Sequence, residues 1–121
     1  MYKISTDLDL KEIVDSNIDR ICLGAYNVGF YFDVGTHINV EGDITVLVDN
    51  QVLAKWNQEV KWTSAAFQNL LNCPVTRYEI PNDKIVQIEF ANGLILQLHD
   101  SSDQYESFQV YQQNPERMTI I

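Results

Sequence analysis

The clearest pattern in the chain lies between Lys84 and Tyr111. Val86, Ile88 and Phe90 alternate with other positions, and after Asn92-Gly93 so do Leu94, Leu96 and Leu98. Alternation with a period of two marks a strand with one buried face. A two-residue Asn92-Gly93 turn would put the two apolar rows on opposite sides. A three-residue turn, Ala91-Asn92-Gly93, sets Phe90 against Leu94, Ile88 against Leu96 and Val86 against Leu98. Both rows then share one face, so the pattern predicts a type I turn with Gly93 left-handed in a bulge. An acidic polar loop and a third strand ending near Tyr111 follow.

The same reading extends to the rest of the chain. Leu10, Ile13 and Val14 fall at helical spacing and predict a short helix over 7–17, capped by Thr6 or Asp7 and stopped by a left-handed Asn17. Strands are predicted at 18–23, at 26–32, around Ile38 and Val40, at 44–48, and at 51–56 after an Asp49-Asn50 turn. A second helix over 62–72 has Thr63 or Ser64 as cap and Phe67, Leu70 and Leu71 as its buried stripe. Pro74 ends it. A strand from Val75 to Ile80 leads through Pro81-Asn82-Asp83 into the opening hairpin. Residues 112–121 read as a polar tail that frays before Met118-Thr119-Ile120-Ile121.

A weak internal repeat emerges over 7–56 and 62–111. Each half is a helix, a strand (IDRICL, VTRYEI), a strand ending in phenylalanine (VGFYF, IVQIEF), a glycine turn, a return strand, an acidic loop and a last strand. The fold expected is therefore α+β and mostly antiparallel. Two related α-plus-β-meander halves with two short helices would form one domain across residues 1–121.

Composition narrows the function more than it names it. The chain has 121 residues, 45% of them hydrophobic, which suits one globular domain with a core. No apolar run reaches the roughly 20 residues that cross a bilayer. The first residues carry acids where a secretory signal has its apolar core, so the cytoplasm is the expected compartment. Cys22 and Cys73 fit no metal spacing and read as buried free thiols.

The net charge of −9 is unevenly placed. Between Arg20 and Lys55 stand Asp33, Glu41, Asp43 and Asp49 with no base. Between Lys84 and Arg117 stand Glu89, Asp100, Asp103, Glu106 and Glu116, again with no base. The remainder of the chain is neutral. Such separation repels nucleic acid and anionic membranes and attracts a basic partner. The chain has no HExxH, no paired Cys/His cluster, and no phosphate-binding or nucleophile-elbow motif. His99 and Asp100 are catalytic residue types, but neighbours on a strand point apart. No enzyme activity, cofactor or metal is expected.

The stretches ICLGAYNVGFYFDVGTHINVEGD and IEFANGLILQLHDSSDQYESFQV, with Leu70-Leu71 before Val75, resemble a family of small uncharacterised bacterial proteins. The likeness covers residues 15–112, and DSSDQYESFQV at 100–110 is its most specific part. The chain departs from the family's usual glycine-glutamine pair before the second-half strand, having Asn72-Cys73-Pro74 there. The resemblance implies a mixed strand-and-helix fold and a bacterial cytoplasm.

The function expected from these features is that of a non-catalytic acidic binding protein. Its concrete form is an immunity protein that occludes a basic toxin such as a ribonuclease. Asp100, Asp103, Tyr105 and Glu106 are the first candidate contacts, with Glu41, Asp43 and Asp49 as a second cluster. The alternative is a small structural or ligand-binding domain with a pocket between the halves, lined by Phe30, Phe32, Phe90 and Tyr78. Trp56 and Trp62, in a short linking segment, read either as partner anchors or as covers for the core edge.

Overall fold

The computed structural model describes residue 4 and residues 8–101, 107–113 and 116–121. Among these residues ten strands make two five-stranded sheets, and all eight strand pairings are antiparallel. In chain order the strands are β1 (Ile18–Leu23), β2 (Val28–Phe32), β3 (His37–Val40), β4 (Ile44–Val48), β5 (Gln51–Trp56), β6 (Val75–Asn82), β7 (Ile85–Phe90), β8 (Ile95–His99), β9 (Phe108–Gln113) and β10 (Glu116–Ile120). The first sheet runs β1-β2-β3-β9-β10 and the second β5-β4-β8-β7-β6.

The helical part is smaller than the sequence predicts. Among the described residues two 3₁₀ segments form, Lys11–Ile13 and Ala65–Leu70. In the first, the left-handed residue is Asp15 rather than Asn17, and Asn17 instead bridges to Pro74. Thr6 and Asp7, the expected caps, lie outside the described residues. In the second, Ser64 is the cap, its Oγ accepting from the Ala66 N–H. Both segments end on a fully buried residue, Ile13 and Leu70. Both are stopped by a left-handed residue just beyond, Asp15 and Asn72. Short segments gain little from helix propagation and are shaped by what they pack on.

The opening hairpin pairs as the pattern demands. Ile88 faces Leu96 and Val86 faces Leu98. Phe90 N–H donates to Leu94 O, and Gly93 takes φ 87°. The Asp33-Val34-Gly35 turn repeats this geometry. Phe32 N–H donates to Thr36 O, and Gly35 takes φ 90°.

Strand order reveals how the two halves combine. The meander β1-β2-β3 is completed by the hairpin β9-β10 from the second half, and β6-β7-β8 is completed by β4-β5 from the first. Each half therefore gives three strands to one sheet and two to the other. The inward rows of both sheets, among them Phe30, Ile38, Val110, Ile88, Leu96 and Val46, form one core. The segment expected to fray is instead the edge strand β10, and Ile121 is buried. Thr119 and Ile120 are β-branched, and they pair with Val110 and Gln109 in the sheet rather than running as a free tail.

Candidate functional site

The exchange of hairpins brings the two acidic loops to the same end of the molecule. The β3–β4 loop is Glu41-Gly42-Asp43, and the β8–β9 connection begins at Asp100. Glu41 and Gly42 N–H groups donate to Ser107 O at 2.7 and 2.8 Å, and His99 N–H donates to Asp43 O. Asp43 N–H donates to Ser101 Oγ at 3.1 Å. Ser101 and Ser107, which bracket the segment bearing Asp103, Tyr105 and Glu106, thus both hold the 41–43 loop. Those three residues themselves lie outside the described ones.

The candidate contacts differ in what they offer. Asp43 is exposed, and Glu41 is half-buried, its carboxylate accepting from Gln109 Nε2 at 3.0 Å. Asp100 is turned inward at 5% exposure. Its Oδ1 accepts from Ser107 Oγ at 2.9 Å, while Oδ2 is buried with no partner among the described residues. A carboxylate so enclosed holds the loop together and presents almost nothing to another protein. Asp49 is exposed but sits in the β4–β5 turn at φ 50°, at the far end of β4 from Asp43. Five strand residues lie between them, which puts them about 20 Å apart. The expected second cluster is therefore divided, with Glu41 and Asp43 at the acidic end and Asp49 away from it.

The four aromatics expected around a pocket take other positions. Phe30, Phe32 and Phe90 belong to the common core. Tyr78 packs on its edge, with its hydroxyl donating to Asp9 Oδ1 at 3.3 Å. Trp56 is buried, and Trp62 stacks on Phe67 with ring centroids 4.3 Å apart. Both tryptophans pack on the core.

A second surface was not legible beforehand. Register places Arg20, Tyr31, His37, Tyr111 and Met118 in one row across the outer face of the first sheet. The Arg20 guanidinium lies 4.1 Å from the Tyr31 ring centroid. Tyr31 stacks on His37 at 4.7 Å, and His37 on Tyr111 at 4.4 Å. Each such contact contributes about 0.5–1 kcal/mol. Gly29 sits beside this row, where a Cβ would come within 3.0 Å of the Tyr31 ring. The equivalent row of the second sheet is Arg77, Glu89, Ile95, Leu47 and Val52. There the arginine is matched by carboxylates, Glu79 at 2.9 Å and Glu89 at 3.3 Å. Next to the aromatic row, Asn27, Asn39, Gln109 and Glu41 form a continuous chain of side-chain hydrogen bonds. This chain links the row to the acidic end. At its other end an open groove of about 870 Å³ is lined by Gly35, His37, Tyr111, Gln113, Glu116 and Met118 among others.

His99 lines a small cleft with Asp43, Thr45 and Lys55. Its Nε2 lies 3.1 Å from Thr45 Oγ1. Burial lowers its pKa, Asp43 partly raises it again, and Lys55 lowers it further. Burial and then Arg20 lower that of His37. A histidine with a folded pKa below its unfolded value, roughly 6.5, takes up protons more readily when unfolded. Its stabilising contribution is complete above that value and is lost as pH falls toward the folded pKa. The Tm advantage of the wild type over His99→Gln is therefore expected to shrink between about pH 7 and pH 5. Paired melting curves check this, and an advantage that grew on acidification would contradict it. Among the described residues no group of three or more His, Cys, Asp or Glu side chains is arranged to hold a metal ion.

Fold and site together define a two-sheet antiparallel β protein with an acidic end and a stacked aromatic face. No helix among the described residues is long and apolar enough to cross a membrane. Compared with known proteins, the chain matches no protein-family model, no curated protein and no solved structure.

Proposed function

We propose that the protein is a non-catalytic acidic binding protein of the bacterial cytoplasm that neutralises a basic protein, in the manner of an immunity protein occluding a ribonuclease-type toxin. The observation that supports this best is the bonding of the Glu41–Asp43 loop to Ser101 and Ser107. It ties together the ends of two stretches of sequence that each lack bases, and sets Glu41 and Asp43 beside Asp100. A nuclease site is cationic because it binds phosphate, and a negative surface is drawn to it and held there. The family likeness at 100–110 covers the same acidic connection. On this reading the protein does no chemistry of its own and needs no cofactor, and its two halves are related repeats that exchanged hairpins.

The gene directly upstream is expected to encode a large secreted protein with a basic C-terminal domain, and that domain is the probe. In a calorimetric titration, Glu41→Lys with Asp43→Lys is expected to weaken binding by about tenfold or more and to flatten its salt dependence. Asp49→Lys, at the other end of β4, is expected to change affinity by less than about twofold. Equal effects from both variants, or none from either, would remove this placement.

A further inference from the structure

Each sheet has two edges, and three of the four are blocked. β1 is irregular between Ile18 and Arg20. β6 contains Pro81 and shifts register twice. The β5 edge is covered, because Lys55 N–H donates to Thr63 Oγ1, Lys55 O accepts from Thr63 N–H, and Leu53 O accepts from Ser64 Oγ. Bulges, prolines and covering segments are the usual means of keeping a sheet edge from accepting another strand.

Among the described residues, β10 shows none of these. Its register against β9 is regular over all five residues. Phe108 and Ile121 exchange both backbone hydrogen bonds, at 2.9 and 3.3 Å. Antiparallel pairs alternate between bonded and non-bonded, so Thr119 and Arg117 also bond to β9. Glu116, Met118 and Ile120 then turn their N–H and C=O groups away from the sheet, and no partner for those groups is found among the described residues. The edge ends at the acidic loops, since Ser107 N–H donates to Ile121 O and Ser107 O accepts from Glu41 N–H.

We propose that β10 is the docking edge for an extended, basic strand of the partner, which joins the first sheet as a sixth strand. The proposal rests on the acidic-binder reading and adds the mode of engagement. Backbone bonds to Met118 and Ile120 supply an anchor that any strand can use, and charge selects which strand arrives. Glu116 lies on the edge itself, and Glu41 and Asp43 lie at the Ile121 end of the same sheet, two strands in from β10. Arg117, the base on β10, alternates to the face opposite Glu116 and Met118. A second copy of this chain is a poor occupant, because each copy carries a net charge of −9.

The test uses the intact protein and an eight-residue peptide alternating valine with lysine, with a valine–glutamate peptide as the control. Amide hydrogen exchange is followed by NMR. Saturating lysine peptide is expected to slow exchange at Met118 and Ile120 by about tenfold or more, while Arg117 and Thr119, already bonded to β9, stay unchanged. The glutamate peptide is expected to do neither. If the lysine peptide shifts resonances of the 41–43 loop but leaves Met118 and Ile120 exchanging freely, strand addition is wrong and the acidic-binder reading stands. If both peptides protect the edge equally, charge does not choose the occupant and the basic partner is wrong. Protection that appears with protein concentration alone, with a dimer in sedimentation, assigns the edge to a second copy and overturns the proposal. No response anywhere in the protein overturns both readings.

Discussion

Replacing Phe30 with alanine is expected to cost about 3–5 kcal/mol of folding stability. Phe30 is fully buried and sits on β2, between Ile21 on β1 and Ile38 on β3. Its ring fills space between the two sheets, so truncation loses both the transfer energy of the ring and the contacts of the atoms that lined it. A domain of this size has roughly 5–15 kcal/mol in total, so the variant would be near the edge of folding. Urea denaturation measures the effect as a lower midpoint with an unchanged slope. The neighbouring Tyr31→Ala is the control. Tyr31 points the other way and loses mainly its stacking contacts, a cost of about 1–2 kcal/mol. Equal losses at the two positions would mean that the two sheets do not enclose one core.

Gly42→Ala is expected to cost about 1–3 kcal/mol and to weaken partner binding as well. The reason is space. A Cβ at Gly42 would stand 2.7 Å from the carbonyl oxygen of His99, 3.0 Å from Ser101 Oγ and 3.1 Å from Ser107 Cβ. The first of these is backbone, on a residue whose N–H is bonded to Asp43 O. It cannot yield without moving β4 against β8. The two acidic loops would be pushed apart by the same displacement. Gly93→Ala supplies the contrast. Its Cβ would meet only Val48 Cγ2 at 3.8 Å, but the residue holds φ 87°. Its cost is conformational, about 1–2 kcal/mol, and it leaves the acidic end undisturbed. Thermal melts of both variants, with calorimetry against the basic domain, separate the two effects. A Gly42→Ala protein that binds as the wild type does would mean that the loop contact has no part in recognition.

Much of the local structure was legible because it depends on neighbours in sequence. The Ala91-Asn92-Gly93 turn followed from the requirement that two apolar rows share a face. The two helices did not survive as predicted, and the reason is also local. Three apolar residues at helical spacing are compatible with a helix, but a single short turn has little stability of its own. Around Asp15 and Asn72 the backbone bonds instead to the other half of the molecule, Asp15 N–H to Val75 O and Asn72 N–H to Ile18 O.

The sites divide in the same way. Charge placement pointed to Glu41 and Asp43, which remain on the surface. It also pointed to Asp100, whose burial depends on Ser107 closing over it, and to Asp49, whose distance from Asp43 depends on β4 being extended. The aromatic row needed the registers of β2, β3 and β9 before Tyr31, His37 and Tyr111 could be seen as neighbours. Each reads alone as an ordinary outward position on its strand.

The amino-acid order determined the strands from β1 to β9, their inward faces, the glycine turns and the two stretches without bases, since each is a property of a few adjacent residues. Tertiary structure decided that β3 pairs with β9 and β4 with β8. Those pairings join residues 48 to 74 positions apart, and what selects them is the burial of both apolar faces in one core, which no local pattern records. The meeting of the acidic loops and the open edge at β10 follow from that one exchange.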